Sequence, residues 1–206
     1  MRLYDSGEKS AEPASTRLLS GVVVNDCEAL PQGNILVRVP ALDQEIWARL
    51  VAAGGGPGAG FFFQPRIGDE VLVGVTGAEA FVLGGMYSLA NSPPVGNPVD
   101  AKTKRVIKSG LVGGIGGHRI ELDDARQSIS ISCATGHEIT VGPAEIELTN
   151  PAGSLKITLR DGDQTVVISG VNIELSATAK LTLSGGLIDI SAKGALVQQG
   201  KPIKIN

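Results

Sequence analysis

Four short stretches decide the fold: Arg119-Ile120-Glu121-Leu122, Ser128-Ile129-Ser130-Ile131, Glu138-Ile139-Thr140-Val141 and Glu145-Ile146-Glu147-Leu148. In each, aliphatic and polar residues alternate strictly. That is the period of a strand with one apolar and one wet face, and it excludes a helix. The pattern runs on through Leu155/Ile157, Val166/Ile168, Ile173/Leu175, Leu181/Leu183, Ile188/Ile190 and Ile203/Ile205. The residues between the paired positions are Glu121, Ser130, Thr140, Glu147, Lys156, Val167, Glu174, Thr182, Asp189 and Lys204. Nine of those ten are polar, so the second face is expected to meet water. Gly, Ser, Ala, Asn and Asp fill the gaps, and these residues turn a chain tightly at little cost.

Ten such pairs predict a repetitive β-solenoid in which each strand touches only its neighbours along the axis. The spacing is 7 to 11 residues and settles near 7 or 8 after Val166; the last gap, of 15, leaves room for a strand around Leu196. Composition agrees with a narrow core. All seven aromatic residues (Tyr4, Trp47, Phe61, Phe62, Phe63, Phe81, Tyr87) precede residue 88, and stacked Ile, Leu and Val leave no room for rings. Periodicity fits both a single-chain coil with exposed ends and three chains that each supply one strand per layer. In the second case ten strands about 4.8 Å apart make a needle of about 50 Å.

The aromatic-containing part reads differently. Strands are predicted at Leu18–Asn25, Asn34–Val39, Glu45–Val51, Glu70–Val75 and Ala80–Tyr87, with turn signals between them. Five strands with glycines at sharp bends suit a small OB-type Greek-key barrel. The prolines of Asn91-Ser92-Pro93-Pro94 and Asn97-Pro98 mark a linker. The expected organisation is an arm over 1–17, mobile or ordered by a partner, a barrel over 18–90, a linker and collar over 91–116 and a needle over 117–206.

A net charge of −3 in 206 residues argues against a general nucleic-acid or anionic-membrane binder. Cys27 and Cys133 lie far apart and give no disulfide framework. Neither a secretory signal nor a membrane-spanning run is visible, so synthesis and assembly in the cytoplasm are expected.

Taken in order, several segments resemble the spike family of contractile phage tails and type VI secretion systems, which includes the baseplate assembly protein V group and the VgrG proteins. In the barrel they are Gly21-Val22-Val23-Val24, Gly33-Asn34-Ile35-Leu36-Val37-Arg38-Val39-Pro40, Trp47-Ala48-Arg49, Pro65-Arg66-Ile67-Gly68-Asp69-Glu70-Val71-Leu72-Val73 and Val82-Leu83-Gly84-Gly85-Met86-Tyr87. Lys104-Arg105-Val106-Ile107-Lys108-Ser109 and Gly117-His118-Arg119-Ile120-Glu121-Leu122-Asp123-Asp124 open the needle. The resemblance implies an all-β homotrimer: an OB barrel followed by an intertwined triple-stranded β-helix. Its trimer core would hold Ile120, Leu122, Ile129, Ile131, Ile139, Val141, Ile146, Leu148, Ile173, Leu175, Leu181, Leu183, Ile188 and Ile190. It implies a baseplate hub protein as partner at the barrel, and a needle that pierces the target envelope from a tail or related extracellular particle assembled in the bacterial cytoplasm. Asn34 stands where members often have Arg. No lysozyme insertion fits into Asn91 to Arg105, and no histidine follows His137 to form the terminal iron site of some members. A blunt end at Ile203, Lys204, Ile205 and Asn206, docking a PAAR-type tip protein, is expected instead.

No catalytic residue, cofactor or metal is predicted. The run from Gly54 to Gly60 lacks the Gly-Lys-Ser/Thr ending of a phosphate cradle and reads as a flexible barrel loop. Phe61-Phe62-Phe63 reads as a buried plug or hub contact rather than a platform for bases. Lys102, Lys104, Arg105 and Lys108 read as a solvated collar; their alternative is a contact with Glu121, Asp123 and Asp124 of a neighbouring chain. His118 and His137 read as turn histidines. Asp123-Asp124 is no glycosidase dyad, because adjacent strand residues face opposite ways. Asp161-Gly162-Asp163 reads as a turn rather than a calcium loop. Two other functions were weighed: a small β-helical polysaccharide lyase or hydrolase, disfavoured by unclustered carboxylates and absent aromatics, and a nucleic-acid-binding OB protein, disfavoured by the acidic balance.

Overall fold

The computed structural model describes residues 15–26, 33–77, 79–110 and 116–203. It divides into two compact units, Met1–Lys108 and Ser109–Asn206. The protein is all-β, and among the described residues its only α-helix is the single turn Asp100–Thr103 (α1).

The first unit holds β1 (Thr16–Asn25), β2 (Asn34–Val39), β3 (Gln44–Leu50), a two-residue hairpin of β4 (Gly55–Gly56) and β5 (Ala59–Gly60), then β6 (Glu70–Thr76) and β7 (Glu79–Gly85). Five of them close a barrel in the order β1-β2-β3-β7-β6. Neighbours are antiparallel except β3 and β7, which run parallel through Arg49↔Phe81 and Leu50↔Val82. This is the OB-type closure expected. Each of the five strands ends within two residues of its predicted bounds. The arm needs one adjustment: Thr16 and Arg17 already pair with Thr76 and Val75, because strand pairing satisfies their backbone groups. The rest of the arm, residues 1–14, lies outside the described residues.

Alternation explains the barrel core. Ile35, Val37 and Val39 on β2, Val71 and Val73 on β6, with Val23, Ala48 and Val82, are the buried hydrophobic residues of the described chain. Their branched side chains fill a narrow tube without rings. β1 and β2 approach closely at Gly21, where a Cβ would stand 2.4 Å from Val37 Cγ1 and 3.0 Å from the Arg38 carbonyl oxygen. A tight turn (Pro40–Leu42) joins β2 to β3, with Asp43 left-handed at φ 50°. After a stretch without regular structure, α1 and β8 (Lys104–Lys108) end the unit. The expected linker and collar, 91–116, thus contains a helical turn and a strand.

The second unit is a meander: β9 (Arg119–Asp123), β10 (Ser128–Ser132), β11 (Glu138–Val141), β12 (Glu145–Thr149), β13 (Lys156–Arg160) and β14 (Thr165–Ser169). Each pairs antiparallel with the next. Left-handed residues sit at the reversals: Gln127 (φ 52°), Gly136 (φ 87°), Gly153 (φ 67°) and Gln164 (φ 52°). The strands expected around Ile173, Leu181 and Ile188 do not form within the single chain, and every residue from Val171 to Ile203 is exposed. From Gly170 onward no described residue has positive φ, so the device that reverses the meander is absent there.

Gly21→Ala should destabilise the barrel by about 1–3 kcal/mol, because Val37 is locked in the core and has no room to retreat. Chemical unfolding followed through the Trp47 fluorescence measures it.

Candidate assembly surface

Register converts the sequence repeat into a surface. Ile120 stands opposite Ile131, which stands opposite Ile139, then Leu148, Ile157 and Ile168. A parallel column runs Leu122, Ile129, Val141, Ile146, Leu159, Val166. Twelve aliphatic side chains therefore share one face of the meander in two unbroken columns. Eight of the expected trimer-core residues belong to it: Ile120, Leu122, Ile129, Ile131, Ile139, Val141, Ile146 and Leu148.

Among the described residues nothing covers this face. The twelve side chains keep between 37% (Ile120, Ile157) and 65% (Val166) of their accessible surface. The opposite face is the better protected one. Its two buried residues, Asp123 and Thr158, are both polar. Arg119 pairs with Glu121, Nε donating to Oε2 at 2.9 Å, and Lys156 Nζ lies 2.5 Å from Glu147 Oε2. Asp123 Oδ1 accepts from the Ala125 and Arg126 amides at 3.0 Å, which fixes the β9–β10 turn. The sheet thus has a polar face held by ion pairs and turn bonds and an aliphatic face that is half exposed.

The remaining expected core residues, Ile173, Leu175, Leu181, Leu183, Ile188 and Ile190, are half exposed or more and lie beyond the meander. At the expected tip, Ile203 is exposed, while Lys204, Ile205 and Asn206 lie outside the described residues. One rung differs from its sequence reading. The strand places Ile157/Leu159 around Thr158 in the two columns, where the sequence pattern paired Leu155/Ile157 around Lys156. Leu155 belongs to the turn, its amide donating to Asn150 Oδ1 at 3.1 Å. Sequence reasoning left Ile157, Leu159, Val166 and Ile168 out of the core set. The alternation of Lys156-Ile157-Thr158-Leu159-Arg160 was the available signal.

On the barrel, Phe61, Phe62 and Phe63 are each more than half exposed, so they are not a buried plug. They follow the β4–β5 hairpin on an extended strip outside the wall, where Phe61 and Phe63 stack with centroids 5.7 Å apart. The Gly54–Gly60 run is that hairpin rather than a featureless loop. Leu18 and Leu83 converge over Gly74, where an added Cβ would meet them at 3.7 and 3.6 Å, and both remain exposed. The collar cations are engaged locally: Lys104 lies 3.7 Å from Asp100, and Arg105 Nη1 donates to the Lys102 and Lys104 carbonyls.

A different cluster closes the β10–β11 hairpin. Cys133 Sγ is 2.9 Å from Thr135 Oγ1 and 3.8 Å from His137 Nδ1, and Thr135 Oγ1 is 3.1 Å from the same nitrogen. His137 is thus a turn histidine with a thiol beside it, which the sequence reading treated separately. The Thr135 hydroxyl above all, helped by the backbone amides of the turn and the His137 ring, holds the Cys133 thiol down at about 6 against the desolvation that raises it. Among the described residues no three His, Cys, Asp or Glu side chains gather as a metal set, and Asp161 to Gln164 form a plain reversal, Gln164 N–H donating to the Asp161 carbonyl at 3.2 Å. Above pH about 6 the exposed thiol should be a thiolate and alkylate quickly. Its iodoacetamide rate, followed by peptide mass, should fall as pH drops below that value, and Thr135→Ala should move the midpoint upward.

Residues 19–87, from β1 to just past β7, match the family model of the type VI secretion system/phage-baseplate injector OB domain. No curated protein matched the chain.

Proposed function

Because its barrel is an injector OB domain of type VI secretion systems and phage baseplates, we propose that this chain is the central spike of a contractile injection apparatus, working as a homotrimer. The family of the barrel marks a spike-related structural role in a tail or injector particle. The finer parts of the proposal are three intertwined chains, docking on a hub, and penetration of the target envelope.

The single observation that carries the trimer is the bare two-column aliphatic face. Completing the burial of a half-covered Ile, Leu or Val contributes about 1 kcal/mol, so twelve contribute on the order of 10 kcal/mol per chain. That equals the whole stability of a typical domain, about 5–15 kcal/mol. Monomeric soluble proteins rarely leave such a face wet, and the uniform columns favour an identical partner. Backbone accounting supports the same assembly. From Val171 to Ile203 the chain is exposed and without strand pairing of its own, yet it keeps the aliphatic alternation. Its amides and carbonyls need partners, and strands of two further copies supply them. Exposed Phe61, Phe62 and Phe63 then become the barrel's contact with a hub protein, and the segment around Ile203 the contact with a PAAR-type tip.

Mechanically, an interwoven β-helix cannot splay without breaking ladders between chains along its length, so it carries axial load to a small area. No step of this role needs an active site. Among the described residues, the polysaccharide-degrading and nucleic-acid-binding alternatives gain no residue cluster.

Ile139→Asp should destroy assembly, because it sets three carboxylates against apolar columns. Native mass spectrometry should show three chains for the wild-type protein and dissociated or aggregated chain for the variant. Glu147→Gln, on the opposite face, should remain trimeric. A trimer from Ile139→Asp, or a wild-type monomer, refutes the proposal.

A further inference from the structure

Resting on the trimeric reading, we infer that the outer barrel wall around Leu18 and Leu83 is where the barrels of neighbouring copies meet. Register builds this wall. Leu18 stands opposite Gly74, Gly74 opposite Phe81 and Phe81 opposite Arg49, so one outward row crosses β1, β6, β7 and β3. Val73 pairs with Val82 but Leu72 with Gly84, which leaves Leu83 as an extra residue on β7. A bulge of this kind re-aims a side chain. Here it sets Leu83 beside Leu18 over Gly74, which is buried beneath them. Leu18 keeps 61% of its accessible surface and Leu83 45%, while Phe81 and Leu72 are half-buried next to them. A lone exposed leucine needs no explanation, but four apolar residues joined across three strands mark a contact surface.

Size and charge both point to a second copy as the occupant. The patch is far smaller than the roughly 20–30 residues a side of a free-standing interface. Between tethered copies that is enough. Only the stretch from Gly85 to Lys104 separates β7 from β8, so chains joined further along hold their barrels at an effective concentration on the order of millimolar. The row ends in exposed Arg49, whose guanidinium lies 5.9 Å from the centre of the Phe81 ring, and exposed Glu79 opens the same strand β7. Neither enters an ion pair among the described residues. A neighbouring copy brings the opposite charge to each, and three such patches close a ring about one axis. The Phe strip stays free for the hub. Gln64 ties it to the Asp26 carbonyl, just past the end of β1, whereas Leu18 lies near that strand's start.

The test is carried out on the full chain with Cys27→Ser and Cys133→Ser, so that one introduced thiol reports. Leu18→Cys, treated with a short bismaleimide, should yield covalently linked chains on a denaturing gel. Glu45→Cys is the control, because the β2–β3 wall lies across the barrel from β6; it should stay unlinked. Adding Leu83→Glu to Leu18→Cys should cut the linking by about tenfold, since it sets a charge in the apolar contact, while native mass still shows three chains. Adding Ile139→Asp should abolish linking, because the patch is too small to act without the tether. Trimers whose Leu18→Cys chains stay unlinked, as they would if a hub protein or another part of the chain takes the patch, overturn the inference. So does equal linking at Glu45→Cys. Native mass of the same samples separates the two claims: an unlinked trimer sinks the barrel contact alone, and a wild-type monomer sinks the spike and the contact with it.

Discussion

The second half of this protein is governed by an aliphatic face that its own chain does not cover. All eight buried hydrophobic residues among the described positions belong to the barrel, although the meander is rich in Ile and Leu. Within the meander the buried residues are polar. On the proposed reading, that inversion is resolved by other chains supplying the missing core. Everything else in the second unit serves the face. Register keeps its columns straight, ion pairs on the opposite side satisfy charges without it, and the turns hold every strand to four or five residues.

The barrel solves the opposite problem. Its closure removes sheet edges, and its Val-rich interior is sealed within one chain. Gly21 lets β1 cross β2 at a distance that no side chain tolerates. A barrel with its own core and a meander without one is the division that the proposed spike requires. In the proposed spike, one part carries its own core and the other is completed by assembly. Phe61, Phe62 and Phe63 and the Leu18/Leu83 patch leave the barrel exposed apolar surface while its core stays closed.

Much of this was legible before any coordinates. β2 was read residue for residue because Gly33 and Pro40 bracket it. The meander was read from period-two alternation, and eight proposed core residues fell on one face because that period leaves no choice of side. The misreadings have physical causes. Positions 155, 157 and 159 share a parity, and only the Asn150 side chain, by capturing the Leu155 amide, assigns Leu155 to the turn. A run of three phenylalanines has no period, so its exposure could not be read. Cys133 and His137 seemed unrelated because hairpin reversal, rather than sequence spacing, brings them together. The segment after Gly170 carries the strand pattern without its own pairing, since periodicity reports which face is apolar and not which chain supplies the neighbour.

A density map of the purified protein tests the central claim most directly. The account predicts three copies around one axis, with Ile131, Ile139, Leu148 and Ile157 of each turned toward it and residues 171–203 paired as strands between chains. A map in which the chain's own residues 171–203 fold back over that face, leaving a self-contained subunit, would contradict it.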